Sequence, residues 1–208
     1  TVDKVARSHG LNGHVYAGDG RIPITECTVH DLPDHINYSN GVIRSILDSG
    51  IKNVILVARW STNLDANGET QLPVMAKNLK KLGVQIWLIK QVPESNSIRT
   101  AQEFYMGKRF PLMNEMPAQF TVSKEDHQNT QGHANQAIDY LPKGLINVID
   151  PASYFFVEST KLKVYGDRAY YKDDDHLTRA GADYYLSKMF DGIFAEITGQ
   201  QKDIPYSD

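Results

Sequence analysis

Apolar positions along the chain alternate between stretches at helical spacing and short, nearly continuous runs. Val42, Ile43, Ile46 and Leu47 recur at i, i+1, i+4 and i+5, a helical period over residues 38–50 that ends at a glycine. The run that follows, KNVILVARW at 52–60, is almost unbroken and β-branched, as a strand buried on both faces of a parallel sheet requires. Residues 72–82 return to helical spacing, Gly83 ends them, and VQIWLIKQV at 84–92 is a second buried strand. Helix, glycine, apolar strand, repeated, implies right-handed crossovers and a parallel α/β sheet with helices on both faces.

The flanks extend this pattern. The first ten residues read as the latter part of an amphipathic helix, with Val2, Val5 and Ala6 on one face and Gly10 as the stop. A short strand, HVYAG at 14–18, is expected next. Over 93–143 the signal weakens, and several prolines with the polar stretch SKEDHQNTQGHANQ predict loops around one or two helices. LINVIDP at 145–151 reads as another central strand, and residues 162–171 as a hairpin turning at Gly166-Asp167. Leu186, Met189, Phe190, Ile193, Phe194 and Ile197, at 3.6-residue spacing, predict a closing helix capped by Thr178.

A length of 208 residues with 41% apolar side chains suits a single domain spanning 1–208 with a real core. The 22 basic and 25 acidic residues are interspersed without a basic run, which argues against nucleic acid as a partner. NVILVA at 53–58 is the longest strongly apolar stretch, far short of the roughly 20 residues that cross a bilayer. The chain can still be one domain of a membrane protein. A lone Cys27 excludes an internal disulfide and lacks the surroundings of a nucleophile.

Candidate chemistry concentrates in YYKDDDHLT at 170–178, immediately before the closing helix. In open α/β sheets ligands bind in the loops that lead from strands into helices. Asp173 and His176 are three apart, so one turn brings the carboxylate to one imidazole nitrogen and leaves the other facing a substrate or nucleophile. Such a carboxylate fixes the tautomer and stabilises the imidazolium, and a general base so placed contributes roughly 10²–10⁴ in rate. No metal is assigned, because DDDH lacks the spaced oxygen ligands of a calcium loop. A solvated acidic turn favoured by the helix dipole is the bland alternative, and the residues alone leave it open. Asp174 and Asp175 read as solvated or helix-capping. Arg59 and Trp60, ending a buried strand, reach toward the same crevice or else serve as a surface ion pair and a core cap. Asn40 is an oxyanion donor or a helix cap. His9, His14, His30, His35, His127 and His133 show no metal-ligand spacing and read as surface or loop residues; Trp87, Phe190 and Phe194 read as core.

INVIDP, followed at a distance by YKDDDHLTRAGADYYL, resembles the SGNH hydrolase-like domain fused to the membrane O-acyltransferases of acyltransferase family three, which acetylate bacterial surface glycans. The family's aspartate-x-x-histidine-leucine-serine-x-x-glycine-alanine segment, preceded by a tyrosine, maps onto Tyr171, Asp173, His176, Leu177, Thr178, Gly181 and Ala182. NVILVARW resembles its central strand, standing where other SGNH proteins carry a Gly-x-Asn-Asp block; IKQVPE resembles its next strand, and Asn40 falls where the family often has Asn. The resemblance implies a flavodoxin-like three-layer α/β/α fold and Ser-His-Asp acyl transfer through Asp173 and His176. It places Asn40, Arg59 and Trp60 at the oxyanion or substrate. Acetyl would come from a fused or associated membrane acyltransferase domain and pass to a sugar hydroxyl of a surface polysaccharide, with no cofactor. Water as acceptor would make the same site an esterase, and loss of the nucleophile a glycan-binding module. The resemblance also implies that these residues are the soluble part of a membrane protein on its periplasmic or extracytoplasmic face.

The family's Gly-Asp-Ser-His nucleophile block does not occur in residues 1–208. The first helix resembles the latter half of the helix that follows that block, so the serine and the first strand are expected upstream of Thr1. Two internal substitutes fail: Gly20 of GDG has no nucleophile, and Ser8-His9 sits inside a helical pattern. The family's frequent cysteine pair is absent from FFVESTKLKVYGD.

Overall fold

The computed structural model describes residues 1–18, 20–29, 32–94, 122–157, 162, 164 and 168–200. In chain order the elements are α1 (Val2–Ser8), α2 (His35–Asp48), β1 (Asn53–Val57), α3 (Trp60–Asn63), α4 (Ala66–Lys81) and β2 (Gln85–Ile89), then α5 (Lys124–Asp139), β3 (Asn147–Ile149), α6 (Ala152–Phe155) and α7 (Arg179–Ile197). The described residues fall into two compact units, one holding those of 14–91 and 131–150, the other those of 1–13, 92–130 and 151–200. Among the described residues no helix is long and apolar enough to cross a membrane.

The first unit contains a parallel sheet of order β1-β2-β3, as the alternation predicts. Trp87 of β2 lies level with Ile55 of β1 and Asn147 of β3, and Lys90 N–H extends the ladder to Ile149 O at 2.9 Å. Continuous apolar strands become a sheet because they are covered: Leu56, Ile86 and Leu88 join Leu72, Ala76 and Leu79 of α4 in one buried cluster. Each fully buried leucine contributes roughly 1.5–3 kcal/mol. Gly50 and Gly83 take φ of +66° and +76°, the left-handed conformation that ends α2 and α4 and turns the chain into β1 and β2. Helix α4 starts six residues earlier than its apolar period, because Asp65 accepts from Gly68 N–H at 2.8 Å and secures a first turn.

One expectation is corrected. HVYAG at 14–18 is not a strand: Val15 is 89% exposed, and Tyr16 and Tyr38 instead tie the segment to α2 through Ser45 Oγ and Ala17 O. The segment pairs with no described strand, and an alternating pattern that stays unpaired gains nothing from its alternation. One of the helices expected within 93–143 is α5, which takes in most of the polar stretch at 123–136. Ser123 and Asp126 cap it reciprocally, and its buried stripe runs through His127, Gln131, Ala134 and Ile138 at helical spacing. Half of that stripe is polar, which hid it from a reading of apolar period. The expected turn at Gly166-Asp167 lies outside the described residues.

In the other unit α1 packs on the long helix α7. Thr1 Oγ1 donates to Asp183 at 2.5 Å, while His9 reaches Asp191 at 2.8 Å and Gln200 at 3.2 Å. Contacts that climb both helices together show that α1 and α7 run parallel, with their starts at the same end. A second buried cluster, with Val122, Phe155, Leu162, Val164, Tyr170, Tyr171 and Tyr185, lies under the segment that leads into α7.

Candidate active site

The residues before α7 form a closed loop. Tyr171 bridges Leu177, Lys172 N–H donates to His176 O at 2.7 Å, and Thr178 N–H donates to Tyr170 O at 2.9 Å. Thr178 then caps α7, as predicted: its hydroxyl accepts from Gly181 N–H at 3.0 Å and donates to Ala169 O at 2.6 Å. Gly181 explains why a small residue must open this helix, since a Cβ there would come within 1.9 Å of Tyr170 O. Tyr171 anchors the loop from below, fully buried, with its hydroxyl donating to Pro93 O at 2.9 Å. Burial, then the charge of Tyr185, pushes that phenol well above its usual range, so it stays a neutral donor.

Within this frame the predicted pair meets. Asp173 accepts from His176 backbone N–H at 2.8 Å and from Asp175 N–H at 3.3 Å, and its oxygens lie 2.9 and 3.1 Å from His176 Nδ1. One carboxylate therefore fixes both the backbone and the ring, and Nδ1–H is the tautomer that donates to it. Desolvation raises the Asp173 carboxyl, but hydrogen bonds from His176 and Asp175 outweigh it and bring the group down to about 2. The His176 side chain is 70% exposed, and among the described residues Nε2 has no hydrogen-bond partner. That leaves a basic nitrogen facing outward on an imidazole held from behind.

Sequence reasoning missed Asp175. Its Oδ1 stands 2.7 Å from His176 Nδ1, and its side chain is only 16% exposed, so it is a second carboxylate on the ring rather than a solvated bystander. Its position directly before His176 gave no sign of this, because the turn that folds it back depends on the Asp173 carboxylate. Asp173, Asp175 and His176 bring ligand atoms within 4.8 Å of one another and so could also take a divalent cation, at the expense of the Nδ1–H bonds.

A family model described as "SGNH domain (fused to AT3 domains)" matches residues 1–191, which include this loop and the sheet. The chain belongs to that family. Curated proteins and solved structures yield no match. Membership in the SGNH family, together with the parallel three-stranded sheet, shows the α/β SGNH fold. It also gives the domain an acyl-related chemistry, hydrolysis or transfer, and associates it with membrane acyltransferase domains.

The other candidates of this SGNH domain lie in the sheet-containing unit. Asn40 is in the second turn of α2, where Asp34 holds the cap position, and its amide donates to Glu26 at 2.8 Å. Trp60 is 1% exposed and its indole donates to Ile89 O at 2.8 Å, the behaviour of a core residue. Arg59 is the N-cap residue of α3. Three histidines expected on the surface are covered instead: the His9 side chain, 5% exposed, lies between Asp191 and Gln200, while His35, against Ile24 O, and His127, in α5, are buried. Each is covered by helix packing that a lone polar letter does not announce. Cys27 is buried, and desolvation, then the charge of Asp65, pushes its thiol up to about 11, which keeps it protonated.

Proposed function

We propose that the domain transfers an acetyl group to a sugar hydroxyl of an extracytoplasmic polysaccharide, with His176 as general base and Asp173 as the acid that orients it. The observation that carries this reading is the ring itself, bound at Nδ1 by a carboxylate and open at Nε2. In the proposed cycle Nε2 takes the proton of a serine hydroxyl, the serine oxygen attacks the acyl carbonyl, and the imidazolium returns the proton to the leaving group. The acceptor hydroxyl then gives its proton to Nε2 as its oxygen attacks the acyl carbon, and the imidazolium returns that proton to the departing serine oxygen. Water in place of the sugar yields an esterase by the same steps.

The serine is proposed in the segment preceding Thr1. The parallel packing of α1 on α7 supports this, because a residue entering α1 arrives at the end of α7 where the Asp173–His176 loop sits. The donor is proposed to be the associated membrane acyltransferase domain, which places this domain on the extracytoplasmic face. No step calls on a metal or organic cofactor. Catalysis is assigned here to Asp173 and His176; Asn40 and Trp60 have other partners, and Arg59 is given no role.

In the full-length protein, His176→Ala is expected to lower p-nitrophenyl acetate turnover by about 10²–10⁴, with EDTA leaving the wild-type rate unchanged. Unchanged turnover in the variant removes His176 from the assignment. Loss of activity on chelation, restored by a divalent cation, replaces the base reading with a metal site on the same three side chains.

A further inference from the structure

Asparagine followed by glycine occurs three times in the chain, at 12–13, 40–41 and 67–68, and the fold treats the three dipeptides differently. Each pair carries its own electrophile and nucleophile, the Asn side-chain carbonyl carbon and the main-chain nitrogen of the next residue. Glycine, without a Cβ, lets the two approach over the widest range of backbone angles. Attack also needs that nitrogen free of a hydrogen bond, since its proton must leave.

Two of the pairs are held out of reach. Gly41 lies inside α2, where each N–H donates to the carbonyl four residues back, and the Asn40 amide is itself engaged on Glu26 at 2.8 Å. Gly68 N–H donates to the Asp65 carboxylate at 2.8 Å in the first turn of α4. Asn12 and Gly13 lie past the end of α1, outside any helix or strand, and both are exposed. Leu11 N–H still donates to Ala6 O at 2.9 Å, but among the described residues neither Asn12 nor Gly13 has a hydrogen-bond partner. Beyond its chain neighbours nothing stands within 4 Å of the place a Gly13 Cβ would occupy, so the main chain there has room to close on the Asn12 side chain.

We infer that Asn12 is a self-modification site, converting without an enzyme to aspartate and isoaspartate. The Gly13 nitrogen loses its proton and bonds to Asn12 Cγ, the Cγ–Nδ2 bond breaks, and the side-chain nitrogen leaves as ammonia with that proton. Water then opens the cyclic imide at either carbonyl. Both products replace a neutral amide by a carboxylate, and isoaspartate also routes the main chain through Cβ, lengthening it by one methylene where it leaves α1.

The test is incubation of the folded full-length protein in mildly alkaline buffer. Trypsin places the three pairs on separate peptides, 8–21, 22–44 and 60–77, whose aspartyl and isoaspartyl forms are resolved by chromatography and electron-transfer fragmentation. Asn12 should convert at least about tenfold faster than Asn40 or Asn67, because freeing a helical N–H requires local opening. In guanidinium chloride the three rates should converge. Gly13 has no positive φ, so Gly13→Ala is accepted without loss of stability in a melt, and it should slow conversion of Asn12 about tenfold. Survival of Asn12 in the folded protein, equal rates at the three sites, a preference for Asn12 that persists in denaturant, or an unchanged rate in Gly13→Ala overturns the inference.

Discussion

At the scale of single residues, two carboxylates compete for one imidazole. Asp173 makes the directed hydrogen bonds to Nδ1, whereas Asp175 is the nearer and more covered group. Replacement by the isosteric amide separates them. Asp173→Asn should lower turnover by about 10²–10⁴, because an amide in that position no longer enforces the Nδ1–H tautomer. Asp175→Asn should change the rate far less; the reverse ranking in measured kcat would make Asp175 the orienting acid. The acid side of the pH profile follows from the same geometry. The Asp173 carboxyl lies near 2, below the value of about 4 for an unfolded aspartate. Its contribution to stability is thus complete above about pH 4 and is lost as pH falls through about 2. The Asp173 carboxyl carbon resonance should therefore hold its ionised position on mild acidification and move only as pH approaches about 2.

At the scale of elements, the loop that carries Asp173 and His176 is positioned by the first turn of α7. Thr178 caps that turn, and Gly181 lets it close against Tyr170 O. Gly181→Ala sets a Cβ into backbone atoms that have no flexible end to move, so destabilisation by more than about 3 kcal/mol is expected in denaturant melts. Thr178→Ala removes only the cap and should cost about 1 kcal/mol. A Gly181→Ala protein as stable as wild type would show that the loop is not welded to the helix. Much of this was readable beforehand: Thr178 as the cap, the period of α7, and Asp173 three residues from His176 are all local relations. The bounds of helix α5 were not, because His127 and Gln131 sit in its buried stripe and only packing makes a polar side chain part of a core.

At the scale of the whole molecule, the two chain-distant helices α1 and α7 are brought into register by His9. Its imidazole, nearly covered, bonds Asp191 with one nitrogen and Gln200 with the other. His9→Ala should cost about 1–3 kcal/mol in a melt, since two polar partners lose their bonds. On the proposal that the nucleophilic serine enters ahead of α1, the same variant should lower kcat while the His176 ring signals stay in place. A normal kcat in a measurably destabilised His9→Ala protein would separate the register of α1 from catalysis.

The sequence by itself determined the parallel α/β sheet, the helix stops at Gly50 and Gly83, and the pairing of Asp173 with His176, because each rests on period, backbone freedom or a single turn. Tertiary structure decided the rest. It assigned Asn40 to Glu26 and Trp60 to the core, left HVYAG without a partner strand, and turned Asp175 back onto the imidazole. The physical reason is that a side chain's partners are set by which distant residues pack beside it, and spacing along the chain carries no record of them.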